Sequence, residues 1–221
     1  MMTTYIKLIF ITVGLSIFLS GCFLKSLHPL VSEKDAVTVN GINGVWEKDD
    51  QRWTFIKEGE YEDLTMSGVQ GNAEFSITMT DEGSDSTNTD HNSYLIIYED
   101  LSEELVDSSY FFGSFAMLNG DYYLDLYPFD LGSLNFESSH YLPVHTFSKI
   151  SLNEDSLVIS LFKDSWIEEQ ITDNRVRIKH EKTEDTVLIT ASTEELQKFI
   201  IKYGNMTEAY RDPINLNRVE L

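Results

Sequence analysis

Five histidines, one cysteine and 37 acidic residues are the side chains of this 221-residue chain best suited to catalysis or metal binding, and their spacing argues against both. The histidines are His28, His91, His140, His145 and His180. A zincin places two histidines on one helix face as His-Glu-x-x-His, and no such segment occurs. His140 and His145 flank Pro143, so they do not share a helix face. His145 reads as a strand residue hydrogen-bonded near a barrel rim. Asp81, Asp85 and Asp90 lack the alternating ligands, the glycine and the closing glutamate of an EF-hand loop. That stretch, 81–92, reads as a solvated loop. Serine hydrolysis needs a nucleophile on a sharp turn, as in Gly-x-Ser-x-Gly, and phosphate cradling needs a glycine-rich loop before a helix. The chain has neither. A single thiol forms no intrachain disulfide and no cysteine-rich zinc site. The expectation is a protein that is not an enzyme and needs no metal or cofactor.

Asp125 is the acidic residue with the most to offer. On an alternating strand it shares a face with Tyr123 and Tyr127, while Leu124 and Leu126 take the other. If the leucines face the core, Asp125 is solvated; if the tyrosines line a cavity, Asp125 is a buried polar anchor for a ligand. Trp53 and Phe55 likewise share one strand face, as core residues or as a ligand stack.

These residues need elements to hold them, and composition says which. Hydrophobic residues make up 42% and aromatics 12%, enough for a packed core and weighted toward strands. The net charge of −21 is the wrong sign for nucleic acid, and it disfavours docking on anionic lipid through a basic patch. Strongly acidic chains stay soluble by self-repulsion; a basic partner is the sharper reading.

Short apolar runs separated by turn signals mark about eleven strands. They are Gly44–Glu47, Arg52–Lys57, Tyr61–Met66, Ala73–Thr80, Tyr94–Glu99, Tyr110–Met117, Tyr122–Tyr127, His145–Leu152, Ser156–Phe162, Arg175–His180 and Thr186–Thr190. Asn119-Gly120 is a hairpin signal, because a type I′ turn needs positive φ at both central residues. Asn153-Glu154-Asp155 and Thr183-Glu184-Asp185 are two further hairpin tips. A helix starts at Ser192, where Glu195 completes a capping box. Its stripe is Leu196, Phe199, Ile200 and Tyr203, and Gly204 closes it. A shorter helix spans Ser165–Ile171. The fold class is therefore mainly β: an antiparallel barrel or curled sheet of about 8–11 strands with one C-terminal and one short helix.

The first residues follow a different logic. Lys7 precedes an almost wholly apolar run from Leu8 to Leu19, too short to span a bilayer and of signal-peptide length. Leu19-Ser20-Gly21-Cys22 follows. Two small residues before a cysteine resemble the lipobox of bacterial lipoproteins. The resemblance implies cleavage between Gly21 and Cys22, acylation of the Cys22 thiol (palmitate among the chains), and tethering to a membrane of the cell envelope. Phe23 stands where Asp is similar to an inner-membrane retention signal, so a diderm host implies the outer membrane, facing the periplasm. The expected organisation is a signal peptide at 1–21, a lipidated cysteine and tether at 22–40, a barrel-like domain at 41–204 and a loosely held tail at 205–221.

Gly44-Val45-Trp46 resembles the Gly-x-Trp of lipocalins, whose Trp plugs the closed end of an eight-stranded barrel. Lipocalins often cover that Trp with an Arg, which makes Arg175 and Arg177 candidates here. Tyr123–Pro128, Leu142–Phe147 and Thr190–Leu196 resemble segments of a group of bacterial lipoproteins with no assigned chemistry, a resemblance that runs from Leu27 to Tyr203. Together these imply a lipid-anchored, non-catalytic barrel holding a small apolar or amphipathic ligand among Trp46, Trp53, Phe55, Tyr123, Asp125 and Tyr127. The alternative is a solid barrel that docks another envelope component through its surface. The expected partners are the membrane, through acylated Cys22, and a small hydrophobic ligand or an envelope protein, with no nucleic acid.

Overall fold

Alternating apolar residues drive strands here, and the strands close on themselves. The computed structural model describes residues 23–59, 92–102, 106–129, 142–183 and 186–220, and the backbone of 65–70 and 73–78. The expected signal peptide at 1–21, Cys22, most of the expected loop at 81–92, His91 and His140 lie outside the described residues, as does much of the expected strand Tyr61–Met66. Among the described residues, no helix is long and apolar enough to cross a membrane.

The strands are β1 (Lys25–Ser26), β2 (Gly44–Lys48), β3 (Gln51–Lys57), β4 (Thr65–Gln70), β5 (Ala73–Thr78), β6 (Ser93–Asp100) and β7 (Asp107–Leu118). They continue as β8 (Asp121–Pro128), β9 (His145–Leu152), β10 (Ser156–Leu161), β11 (His180–Lys182), β12 (Val187–Ile189) and β13 (Ile214–Arg218). The helices are α1 (Asp164–Thr172) and α2 (Thr193–Tyr203). In chain order β2, β3, β6, β7, β8, β9, β10 and β13 each pair antiparallel with the next, and β13 returns to β2. The result is a closed eight-stranded up-and-down barrel, consistent with the lipocalin-like architecture. β4 and β5 form a separate hairpin.

Between β10 and β13 the chain leaves the barrel to build an outer layer of α1, β11, β12 and α2. β9 joins the two parts. Its residues Ser148–Leu152 pair with β10, while His145 and Thr146 pair with β1, which continues into β12 and β11. One wall, β7-β8-β9, therefore serves two cores. Phe115, Leu124 and Ile150 point into the barrel. Ala116, Leu118, Tyr123 and Phe147 point outward, under the helices.

Local signals explain the turns. Asn119 and Gly120 have φ of 53° and 88°, as a type I′ hairpin requires. Ser192 and Glu195 form both bonds of the capping box, and α2 buries Leu196, Phe199 and Ile200. α1 has no side-chain cap bond. Gly204 ends α2 with right-handed φ of −65°. Its small size answers a close approach: a Cβ there would lie 2.3 Å from the Tyr123 hydroxyl.

Three expectations differ from the structure. The stretch expected as a tether, 22–40, docks on the barrel, with Leu24, Leu30, Val31 and Val39 buried. The segment Arg175–Lys179 alternates like a strand but pairs in no ladder among the described residues, with one backbone bond from Thr190 N–H to the Lys179 carbonyl, and β11 begins only at His180. The tail at 205–221 is not loosely held: Ile214–Arg218 is the strand that closes the barrel, with Leu216 fully buried. Deleting residues 213–221 should thus abolish the cooperative thermal transition, and Leu216→Ala should cost about 2–5 kcal/mol in denaturant unfolding. An unchanged midpoint for both would mean that the tail is dispensable.

Candidate functional site

The six residues singled out from the sequence fall on opposite faces of the barrel wall. Trp46, Trp53 and Phe55 point inward. Trp46 is fully buried, and its indole N–H donates to the Ile42 carbonyl at 2.8 Å. The Arg218 guanidinium lies over its ring at 4.1 Å. Arg218 also donates to the carbonyls of Asn43, Gly41 and Glu154, which ties β13 to the chain entering β2. Gly44 makes this possible: its φ is +118°, and a Cβ would stand 3.1 Å from Arg218 Nη1. The arginine over Trp46 is thus neither Arg175 nor Arg177, which lie in the outer layer. The useful signal was the alternation of Ile214 and Leu216 with Asn215 and Asn217, which sets Arg218 opposite Trp46 across the β13–β2 ladder.

Above this plug, rings fill the barrel. Trp53 packs on Tyr98 at 5.1 Å and on Phe55 at 6.4 Å, Phe55 on Phe115 at 6.4 Å, and Phe115 on Tyr94 at 5.1 Å. Phe55, Tyr94, Ile96, Phe115 and Leu124 are each essentially inaccessible. The segment Val37–Ile42 covers the plug end, with Val37 N–H donating to the Phe115 carbonyl and Val39 N–H to the Tyr94 hydroxyl.

Tyr123, Asp125 and Tyr127 line the outer face. The leucine face does look into the core, yet Asp125 is not solvated: it is 4% exposed. One carboxylate oxygen accepts from the backbone N–H groups of Leu30 (2.7 Å) and Val31 (3.3 Å). The other lies 2.8 Å from His145 Nδ1, within hydrogen-bond distance. Asp125 is therefore a clamp that holds the chain's own N-terminal segment against the barrel. His145, at the first position of β9, also packs on the Tyr127 ring at 4.7 Å.

Beside this clamp opens a cleft of about 440 Å³. Asp125 and His145 lie at its polar side, with Leu27, Val31, Phe112, Tyr127 and Leu142 around them. Phe112 and Leu142 are 43% and 61% exposed, so the rim is apolar and open to solvent. Tyr123 is on the same face but elsewhere, beneath the end of α2. Its hydroxyl and that of Tyr210 both donate to the Gly204 carbonyl, at 3.3 and 2.7 Å. Burial pushes both phenols above the ordinary tyrosine range.

His180 Nδ1 bonds the Ile178 carbonyl. Among the described residues, no three His, Cys, Asp or Glu side chains gather as a metal site would require. No family model, curated protein or solved structure matches the chain.

Asp125→Ala strands two buried N–H groups and should cost about 3–5 kcal/mol in denaturant unfolding. Loss near zero would show that the clamp holds nothing. Tyr123 and Tyr210 stay neutral in the fold at a pH where unfolded tyrosine ionises, so their contribution is intact below about pH 10 and is lost as pH rises further. Tyr210→Phe should flatten that alkaline decline; an identical pH profile would contradict it.

Proposed function

We propose that the chain is a lipid-anchored, non-catalytic protein of the cell envelope, with a solid barrel as scaffold and an outer wall that docks another envelope component. The observation that carries this reading is the filled interior. Trp46, Trp53, Phe55, Tyr94, Ile96, Phe115 and Leu124 pack together inside the barrel, and the cleft at Asp125 and His145 lies outside it. A ligand inside the barrel would have to displace several well-packed aromatic rings, which favours the docking alternative over a carrier.

The anchor rests on Leu19-Ser20-Gly21-Cys22. Two residues beyond Cys22 the chain is already docked, at buried Leu24. An acylated Cys22 would therefore hold the domain close to its membrane, the outer one in a diderm host. The partner suited to the cleft is a protein segment offering an apolar side chain to Phe112 and Leu142, with a polar group for His145.

Two measurements test the two halves. Mass spectrometry of the mature N-terminus should find acylated Cys22; an intact Met1 start would overturn the anchor. A photo-cross-linker at Phe112 or Leu142 in intact cells should give one discrete protein adduct, weakened by His145→Ala. The same probe at Met117, exposed near the other barrel end, should not give it. Equal labelling from both places would remove the docking site.

A further inference from the structure

The chain is strongly acidic, yet five of its sixteen Lys and Arg residues line one groove in the outer layer. The groove holds about 840 Å³ and runs between the stretch after α1 and the second half of α2. On one side Arg175, Arg177 and Lys179 alternate with Val176 and Ile178. The basic side chains are exposed, while Val176 is buried and Ile178 partly so. On the other side Lys198 and Lys202 stand one helical turn apart on α2. Phe199 and Tyr203 supply apolar surface between the two rows.

The charge in the groove is poorly neutralised. Glu195 is the one carboxylate in its lining, 3.8 Å from Lys179, and Asp173 pairs with Arg175 at 3.1 Å. Lys202 lies over the Tyr203 ring. Among the described residues, Arg177 and Lys198 have no carboxylate within ion-pair distance. Two cation rows over an apolar floor suit a ligand with anionic and apolar parts. Lys198 and Lys202 also sit toward the carbonyl end of α2, where the helix itself repels an anion, so side-chain charge alone must do the binding.

We propose that this groove binds the anionic headgroup of a phospholipid, with the beginning of an acyl chain against Phe199 and Tyr203. The choice of lipid over other anions rests on the membrane tether proposed above. Geometry agrees with that tether: Phe23, the residue after Cys22, forms a β-bridge with Lys163 immediately before α1, and α1 leads straight into the basic stretch. Anchor exit and groove thus belong to the same outer layer. Membrane attraction and a net charge of −21 are compatible, because the attraction falls off within a Debye length and is read locally.

The test reconstitutes the full chain in vesicles of phosphatidylcholine alone or with phosphatidylglycerol, and follows amide hydrogen exchange in residues 174–180 and 198–203. Exchange should slow only with phosphatidylglycerol, and salt should reverse the effect. Arg177→Glu with Lys198→Glu, both exposed positions, should cancel it while leaving the melting temperature unchanged. At about fivefold per surface cation, loss of the two cations alone predicts a fall of at least roughly 25-fold in affinity, before the repulsion of the two new carboxylates. Arg177→Lys with Lys198→Arg should retain it. Equal exchange in both vesicles overturns the proposal. So does equal protection by inorganic phosphate or by a poly-glutamate peptide, which would make the ligand a free anion or an acidic chain. Mass spectrometry of the same sample decides separately whether Cys22 is acylated, so failure of the anchor and failure of the groove are told apart.

Discussion

The wall formed by β7, β8 and β9 must be apolar on both faces, and the rest of the architecture follows from that. An up-and-down barrel of this size ordinarily buries one face of each strand and leaves the other to water. Here Ala116, Leu118, Tyr123 and Phe147 need cover on the outside as well. The excursion between β10 and β13 supplies it, bringing Leu196, Phe199 and Ile200 of α2 and Val187 and Ile189 of β12. The N-terminal segment completes the cover with Leu24, Leu30 and Val31.

Among the described residues, Asp125 is the buried charged side chain of that wall. A buried carboxylate is costly unless its lone pairs are met. Its three partners come from two places, the backbone of Leu30–Val31 and the side chain of His145. The requirement explains why the N-terminal segment is docked in one place instead of sliding over apolar surface, and why the adjoining cleft has a polar side at all. At the other barrel end Arg218 plays a comparable part. It joins Trp46, the Asn43 carbonyl and the β9–β10 hairpin, so barrel closure and the Trp46 plug depend on the same residue.

Much of this was legible in the residues. The Asn119-Gly120 turn, the Ser192 capping box and the alternation of His145–Leu152 each encode a local preference, and local preferences survive in the fold. What was not legible was pairing over long range. Arg175–Lys179 has the alternation of a strand and does turn alternate side chains inward, but no neighbour supplies the ladder. Ile214–Arg218 is short and half polar, so it resembles a tail until β2 and β10 present two open edges. Asp125 shows the same limit. Its strand face could be read from the alternation with Leu124 and Leu126, but not the backbone N–H groups about 95 residues away in sequence that bury it. The basic groove was hidden for a different reason: a net charge of −21 averages away five cations that only the fold brings together.

The proposed docking role requires a solid barrel. The Trp53 indole N–H reports on this most directly. It is buried among the rings of Phe55 and Tyr98 and has no hydrogen-bond partner among the described residues. Titrating the protein with a soluble medium-chain fatty acid while following that indole resonance by NMR should leave it unmoved, with changes confined to residues of the outer clefts. A saturable, one-to-one shift of the Trp53 indole signal would mean that the barrel admits a ligand, and would contradict the account.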